Sequence, residues 1–225
     1  MDADPTVSSA DPLAQWQGDF GDRYIARNEV TDTTVGQAEI AFGRILDQSG
    51  IRGGVRSILE VGANVGINLH GLRRTLGPDV SLMALEPNTN AGARLRGAAE
   101  LGLDRVIAGS GDSIDLPDAS VDLVFTNGVL IHVHPDSLRA VMREICRVAR
   151  RWVLCSEYFS HQPVEVPYHG ESGMLWKRDF GREYLEVCPE LRVRSYGFLW
   201  AQELPNYDDL NWWVFEKPDA PAGRG

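Results

Sequence analysis

Short apolar runs alternate with segments of helical periodicity from residue 33 to residue 157. Runs of apolar and β-branched residues bounded by turn residues predict strands, while apolar residues at three- and four-residue spacing predict helices. The strands predicted in this part of the chain are 55–61, 81–86, 105–109, 121–128 and 151–157. The predicted helices are 33–48, 66–76, 88–101, a helix after Pro135 and a later one at 179–187. Such alternation favours a parallel sheet with helices on both faces.

The end of the chain breaks this alternation. Residues 191–200 and 210–217 predict two strands with no helical pattern between them, and such a pair suggests an antiparallel hairpin on the sheet. The predicted fold is therefore α/β, a Rossmann-like seven-stranded mostly parallel sheet with helices on both faces and a C-terminal antiparallel hairpin. S-adenosylmethionine-dependent methyltransferases of the Rossmann-like class have this arrangement. A fold alone does not give a function, so the site must be argued from residues.

Composition and charge narrow the function further. The 225 residues are 43% hydrophobic, enough for one domain with a real core, and carry 22 basic and 32 acidic residues for a net charge of −10. No block of Lys and Arg is present, which disfavours a nucleic-acid partner and favours a small-molecule ligand. No apolar run approaches the ~20 residues that span a bilayer.

The ends of the chain and its cysteines suggest a cytoplasmic protein. Residues 1–12 are acidic and polar, lack the apolar stretch of a secretory signal, and are expected to form a disordered tail, as are residues 218–225. The three cysteines, Cys146, Cys155 and Cys188, show no metal or redox spacing. They are expected to be buried thiols in a reducing compartment.

The stretch LEVGANVGINL, residues 59–69, predicts a strand that runs through a glycine turn into a helix. It contains neither the G-x-G-x-x-G of dinucleotide binding nor the G-K-[ST] that ends a P-loop. Methyltransferases of this class usually show an acidic residue and then three glycines at alternate positions. Glu60, Gly62, Asn64 and Gly66 occupy those places. Because Asn adopts left-handed backbone conformations more readily than other non-glycine residues, Asn64 is expected to keep the turn. The alternative is an ordinary strand-to-helix turn.

Two further acidic residues follow predicted strands. Glu86 ends the second strand, where a carboxylate can accept hydrogen bonds from both ribose hydroxyls, a feature that dehydrogenases share. Asp112 follows the third strand, where this fold reaches the adenine edge, and Ser113 offers a second polar contact. A plain turn residue is the alternative for Asp112. Carboxylates at three successive strand ends together predict S-adenosylmethionine as the cofactor.

Two long motifs carry a family resemblance. VFTNGVLIHVHPDSL (124–138) and SEYFSHQPVEVPYHGESGMLWKRDF (156–180) resemble the pseudaminic acid biosynthesis-associated methylases, a branch of the S-adenosylmethionine methyltransferases. The N-terminal WQGDFGDRYIARN and the C-terminal DDLNWWVFEK fit the same pattern, so the resemblance spans roughly residues 15–217. It implies the fold, the cofactor, an N-terminal helical lid at 13–54 and a methyltransferase core at 55–217. It does not name the acceptor.

The resemblance also implies further cofactor contacts beside those named above. Asn127, Gly128 and Val129 end the fourth strand, which in this class faces the transferable methyl group. Tyr24 and Arg27 are expected to fold over the cofactor with the lid, and Arg27 could meet the methionine carboxylate. A capped surface helix is the alternative for these lid residues.

Two histidines lie just past the fourth strand, close to the expected methyl group. Histidine titrates near neutral pH and suits a general base, and His132 is preferred over His134 for that role. Their spacing also suggests a metal site. Because no third ligand has a recognisable pattern, no metal is predicted.

Residues 157–178 form a long segment without periodicity at the edge of the sheet where ligands bind. Glu157 and Glu165 could hold a cationic amine or guanidine flanked by Tyr158 and Tyr168. The predicted reaction is N-methylation of such a small molecule, for example an amino acid or amino sugar, with His132 or Glu157 taking the proton. The alternatives are O-methylation of an acidic or sugar-type acceptor, and a cofactor-binding partner protein without activity. In the acidic case the acceptor would be held by Lys177 and Arg178.

Overall fold

The computed structural model describes residues 11–218 and contains a seven-stranded sheet. The sheet strands are β1 Ser57–Val61, β2 Ser81–Glu86, β3 Arg105–Ala108, β4 Val121–Asn127, β5 Ala149–Glu157, β8 Arg192–Leu199 and β9 Leu210–Glu216. Two shorter strands, β6 Val164–Glu165 and β7 Trp176–Lys177, form a separate hairpin. The helices are α1 Pro12–Gln17, α2 Asp19–Ile25, α3 Asp32–Gln48, α4 Ile67–Leu76, α5 Thr89–Gly97, α6 Pro135–Val148 and α7 Phe180–Val187.

The strand order is β3-β2-β1-β4-β5-β9-β8. Neighbouring strands from β3 to β5 run parallel, while β9 pairs antiparallel with both β5 and β8. This topology confirms the predicted fold class, including the C-terminal antiparallel pair. The chain crosses from β1 outward to β3 and then returns to β4, so the order reverses beside β1. In open sheets of this kind a ligand crevice forms at the carboxyl ends of the strands where the order reverses.

Helices cover both faces of the sheet. One face packs against α3, α4 and α5, and the other against α6 and α7. On the first face Phe42 of α3 meets Phe125 of β4 edge-to-face, with ring centroids 5.0 Å apart. The α3 helix lies within the segment predicted as a lid, but its buried residues belong to the central core.

The two short N-terminal helices have a different position, over the carboxyl edge of the sheet. The side-chain nitrogen Nδ2 of Asn88 donates to the carbonyl of Trp16 at 3.1 Å and to Oδ1 of Asp22 at 2.9 Å. Ile25 packs with Val65 and with Ala91 in a small apolar cluster. These contacts fasten α1 and α2 to the loops after β1 and β2.

The boundaries of the tails differ slightly from the sequence prediction. The helix α1 begins at Pro12, so it includes the last residue of the segment predicted to be disordered. Residues 1–10 and 219–225, which make up most of the two predicted tails, lie outside the described residues. No helix within 11–218 combines the length and apolar character needed to cross a bilayer.

Candidate active site

A cavity of about 450 Å³ lies at the carboxyl edge of β1, β2 and β4, beneath α1 and α2. Its walls come from those two helices and from the loops that follow the first four strands. Most of the predicted cofactor residues line it: Tyr24, Glu60, Gly62, Asn64, Glu86, Asp112, Asn127, Gly128 and Val129. The predicted base His132 lines it as well.

The turn after β1 has the predicted left-handed backbone. Gly62, Asn64 and Gly66 have φ angles of 76°, 49° and 84°. The prediction that Asn64 adopts a left-handed conformation is therefore confirmed. A Cβ atom built on Gly62 would lie 2.7 Å from Cγ2 of Val129, so the loop after β4 approaches the turn too closely for a side chain there.

Three predicted cofactor residues do not line the cavity. Gly66 is the N-cap residue before α4, and a Cβ there would lie 2.8 Å from Leu95, so this glycine allows α4 and α5 to pack rather than a ligand to bind. Ser113 is exposed beyond the cavity wall, and its expected place is taken by Ser110, which hydrogen-bonds to Asp112.

Arg27 is the third of these residues. It follows α2 on the exposed side of the lid, and its guanidinium contacts the ring of His169 at 3.1 Å. Arg27 was predicted to contact the methionine carboxylate, but its side chain is exposed and does not line the cavity. Tyr24 and Asn28 of the same segment do line the cavity.

Buried carboxyl groups dominate the electrostatics of the cavity. Glu60 is 2% exposed, and its Oε1 accepts a hydrogen bond from Asn68 at 2.6 Å, while Oδ1 of Asn68 accepts one from the hydroxyl of Tyr207 at 2.7 Å. Burial raises the pKa of Glu60 to about 8. Burial also raises the pKa of Glu86, although backbone N–H groups that donate to its carboxylate oppose the shift. A ligand that brings positive charge or hydrogen-bond donors would therefore stabilise both carboxylates.

Four buried polar atoms on cavity residues have no hydrogen-bond partner among residues 11–218. They are Oε2 of Glu60, Oδ1 of Asn64, Oδ1 of Asn127 and Nε1 of Trp16. Unpaired buried polar atoms are costly, and native proteins contain few of them. The set fits a ligand with several donors and acceptors. S-adenosylmethionine carries hydroxyl, amine and carboxylate groups that could pair with these atoms, so the residues present fit the predicted cofactor.

His132 is held as a neutral imidazole with a defined tautomer. It ends a 3-10 turn, Leu130–His132, and its Nδ1 lies 2.6 Å from the carbonyl oxygen of Met174. A carbonyl oxygen can only accept, so Nδ1 carries the hydrogen and Nε2 keeps its lone pair. Burial lowers the pKa of His132 to about 4. The rings of Trp16 and Tyr168 lie 4.7 and 4.8 Å from it, centroid to centroid.

His134 has a structural contact instead. Its Nδ1 accepts a hydrogen bond from the backbone N–H of Asp136 at 3.3 Å and so caps the start of α6. Its ring also packs edge-on against Trp176, with centroids 5.6 Å apart. Within the described part of the chain, no group of three or more His, Cys, Asp and Glu side chains is arranged to hold a metal ion.

The two glutamates expected to hold the acceptor, Glu157 and Glu165, lie outside the cavity. Glu157 is fully buried and accepts hydrogen bonds from three backbone N–H groups of the loop after β4. Glu165 is exposed on β6 and accepts one from Gly173 at 2.6 Å. Neither lines the cavity. The expectation that both face a cationic acceptor is therefore corrected, because backbone amides near each of them take up the carboxylate oxygens.

Lys177 and Arg178, the basic pair at the end of the segment 157–178, also contact other side chains of the protein. Arg178 forms an ion pair with Glu183 at 3.3 Å, and both side chains are largely buried, at 13% and 14% exposed. The Nζ atom of Lys177 lies 4.7 Å from the ring centroid of Tyr158. Of these two cations, Lys177 is the one positioned near an aromatic residue that was predicted to bind the acceptor.

A carboxylate that the sequence analysis did not single out lies beside the predicted tyrosines. The hydroxyl of Tyr158 donates to Asp208, and the phenols of Tyr24 and Tyr168 belong to the same cluster. Burial raises the pKa of these three tyrosines, and the charge of Asp208 raises it further. Only the fold could reveal this cluster, because its members come from α2, from both ends of the segment 158–168 and from the loop between β8 and β9.

A comparison with models of protein families finds a match in this chain. Residues 59–154 match the family model described as a methyltransferase domain. No curated protein matches the chain at a significant level. The matched segment runs from β1 to β5 and so contains the cofactor turn and the loop that carries His132.

Solved structures share the whole fold. The chain resembles Burkholderia thailandensis 1,6-didemethyltoxoflavin-N1-methyltransferase with bound 1,6-didemethyltoxoflavin and S-adenosylhomocysteine, with a TM-score of 0.68, 17% identity and coverage of 97% of this chain and 94% of that one. It also resembles magnesium protoporphyrin IX methyltransferase from Synechocystis PCC 6803 with bound S-adenosylmethionine (TM-score 0.65, 12% identity, 95% and 100% covered). The mitomycin 7-O-methyltransferase MmcR is similar too, with a TM-score of 0.66, 15% identity and coverage of 94% of this chain and 62% of that one.

The family match and the fold together confirm the predicted enzyme class. The chain carries a methyltransferase domain and is an S-adenosylmethionine-dependent methyltransferase, as predicted.

Proposed function

We propose that this methyltransferase acts on a small molecule and methylates a nitrogen that is unprotonated at neutral pH, such as that of an aromatic or conjugated amine. The observation that carries the proposal is His132, a neutral imidazole at the cavity whose Nε2 lone pair is left available by the bond from Nδ1 to Met174. When bound, S-adenosylmethionine supplies an electrophilic methyl group on a sulfonium. The other requirements of the reaction fall to the protein: it must bind the cofactor, orient the acceptor and accept a proton.

The cofactor would be held by the residues around the turn after β1. Glu86 suits the ribose hydroxyls and Asp112, assisted by Ser110, suits the adenine amine. Glu60, with one unpaired carboxylate oxygen, suits the ammonium of the methionine end. Asn127 and Trp16 also line the cavity and supply an unpaired acceptor and an unpaired donor.

The low pKa of His132 narrows the chemical class of the methyl acceptor. Alkyl amines such as that of lysine titrate at about 10.4 and guanidinium groups at about 12.5 or above, so an imidazole with a pKa of about 4 is too weak a base to deprotonate either of them. An aromatic or conjugated N–H needs no prior deprotonation and becomes acidic only as the new N–C bond forms. The proposal therefore keeps the predicted nitrogen acceptor and favours aromatic or conjugated nitrogens over guanidines and simple alkyl amines.

The surroundings of His132 also suit a planar acceptor. Trp16 and Tyr168 lie against its ring, and Asp208 accepts a hydrogen bond from the hydroxyl of Tyr158. Asp208 is exposed and does not itself line the cavity, but the preceding residue, Tyr207, does. Aromatic side chains pack well on a flat conjugated ring, and a carboxylate can accept a hydrogen bond from a second N–H of the acceptor. The similar Burkholderia thailandensis protein is named an N1-methyltransferase, which is consistent with a nitrogen acceptor in this fold.

Within the methyltransferases, we group the chain with the pseudaminic acid biosynthesis-associated methylases. The grouping rests on the long motifs 124–138 and 156–180, and it leaves the acceptor open.

A second candidate function is O-methylation of an acidic acceptor. The observation in its favour is the pair of cations near the tyrosines: Lys177 over the ring of Tyr158 and Arg27 on the lid. A carboxylate acceptor would need one or both of them.

Asp208→Asn separates the two functions, and Asp209→Asn is the matched control. Asp209 is the adjacent exposed carboxylate, and within residues 11–218 it accepts a hydrogen bond only from the backbone N–H of Ala201, at 3.0 Å. With an aromatic amine as acceptor, Asp208→Asn should lower kcat/KM at least tenfold, about 1.4 kcal/mol, and leave the affinity for S-adenosylhomocysteine unchanged. Full activity in Asp208→Asn, together with loss of activity toward carboxylic acids in Lys177→Ala and Arg27→Ala, would replace N-methylation with the second function.

A further inference from the structure

Glu157 makes an unusual set of contacts for a buried carboxylate. It is the last residue of β5 and is fully buried, and it has no ion pair with any described Lys, Arg or His side chain. Its Oε1 accepts hydrogen bonds from the backbone N–H groups of Val129 and Leu130 at 3.2 and 3.0 Å, and its Oε2 accepts one from Ile131 at 3.4 Å.

These three amides belong to the start of the 3-10 turn Leu130–His132. The first N–H groups of a helical turn have no partner within the turn, and a side chain close in sequence usually caps them. Here Val129 stands at the cap position and offers no side-chain acceptor. The carboxylate of a residue 26 to 28 positions away in sequence takes that role instead.

The capped loop connects the cofactor turn after β1 with the proposed base, His132. Val129, at one end, packs against Gly62 of the cofactor turn and lines the cavity. His132, at the other end, faces the cavity with its Nδ1 fixed to Met174. A shift of this loop would move the wall of the cofactor site and the imidazole together.

We infer that Glu157 is the positioning residue of the site: its carboxylate caps the turn Leu130–His132 and thereby fixes the orientation and tautomer of His132. The inference rests on the proposed function for its consequence, because His132 is the proposed base, but the contact itself can be tested without cofactor or acceptor. Glu157→Gln offers one acceptor oxygen in place of two and directs an NH₂ group toward a backbone N–H. The turn should therefore lose its fixed position.

The test is the ¹⁵N spectrum of the histidine rings in the protein alone, with the His132 signals assigned by their loss in His132→Ala. The wild type should show the Nδ1–H tautomer, and in Glu157→Gln its share should fall at least twofold. Glu186→Gln is the control, because that glutamate is exposed on α7, pairs with Arg182 at 3.7 Å and should leave the His132 signals unchanged. Unaltered His132 signals in a folded Glu157→Gln would overturn the inference, since a purely structural role would lower only the unfolding temperature.

A wild-type titration decides the question if Glu157→Gln does not fold. Burial raises the pKa of Glu157 to about 7, and its protonation removes an acceptor from the turn. The titratable neighbours, Cys155 and Tyr184, have pKa values raised by burial and stay neutral near pH 7. Between pH 8 and 6 the carboxyl ¹³C signal of Glu157 and the ring ¹⁵N signals of His132 should change with the same midpoint. Movement of the carboxyl signal without any movement of His132 would contradict the inference. Because no methyl transfer is measured, either result is independent of the proposed reaction.

Discussion

The backbone N–H of Asn64 donates a 2.7 Å hydrogen bond to Oε2 of Glu86, so the carboxylate at the end of β2 holds the turn that follows β1. The other oxygen of Glu86 accepts a bond from the backbone N–H of Asn88 at 2.8 Å, at the start of α5. One side chain therefore joins the two loops that form the floor of the cavity. A carboxylate at this position must organise the protein backbone as well as bind a ligand.

Glu86→Ala should weaken cofactor binding and also destabilise the fold. Two backbone amides would lose their acceptor, each at a cost of about 1–3 kcal/mol in the free energy of unfolding. The affinity for S-adenosylhomocysteine should fall at least tenfold, because the proposed ribose contact is lost and the turn is no longer held. Urea unfolding and titration calorimetry measure the two effects. Unchanged affinity would remove Glu86 from the cofactor site.

Substitutions of Asn64 test the conformation of the turn. Asn64→Gly should bind S-adenosylhomocysteine nearly as well as the wild type, since glycine adopts a φ of 49° without strain. Asn64→Val should bind at least tenfold more weakly, because a β-branched residue resists positive φ. Normal binding by the valine variant would show that the left-handed conformation is not required.

Most of the fold was predictable because its signals are local. Strands such as 81–86 are short apolar runs, and the observed β2 has those same bounds. The left-handed Asn64 was predictable for a similar reason, since residue type alone restricts backbone angles. The segment 157–178 was not, because the β6–β7 hairpin depends on pairing of Val164 with Lys177, a contact without periodicity in the sequence.

Gly62 and Gly128 form a matched pair for testing how closely the two loops approach. Both have positive φ, 76° and 66°, but a Cβ on Gly62 would lie 2.7 Å from Val129, while one on Gly128 would meet no atom of the described residues within 4 Å. Gly128→Ala should cost only the left-handed strain of about 1–2 kcal/mol. Gly62→Ala should cost about 1–3 kcal/mol more, because the added methyl overpacks the loop contact. Equal losses in urea unfolding would show that Val129 moves aside freely.

Glu60 should make stability depend on pH. Burial raises its pKa from 4.5 in the unfolded chain to about 8 in the folded protein. The folded state therefore keeps the proton up to a higher pH than the unfolded state does. Its contribution to the free energy of unfolding is fully present below pH 4.5 and is lost as the pH rises toward 8, with a slope of at most about 1.4 kcal/mol per pH unit. Glu60→Gln, which keeps an acceptor for Asn68, should flatten this slope. Identical slopes for wild type and variant between pH 5 and 8 would contradict the raised pKa of Glu60.

The acceptor side of the site was harder to predict from sequence. A glutamate at the end of a strand resembles a ligand-binding group whether it faces the cavity, as Glu86 does, or the backbone of the next loop, as Glu157 does. Only the positions of the neighbouring N–H groups distinguish them. Asp208 gives no local signal, because Tyr158 reaches it from 50 positions away in the chain.

Transfer of a trideuteromethyl group from labelled S-adenosylmethionine tests the central claim most directly. The purified protein would be incubated with a panel of aromatic amines, alkyl amines, guanidines and carboxylic acids, and the products would be analysed by mass spectrometry with His132→Ala alongside. The account predicts label on the nitrogen of at least one aromatic or conjugated amine, at a rate at least tenfold lower in His132→Ala. Label on carboxylic acids alone, or equal rates with and without His132, would contradict it.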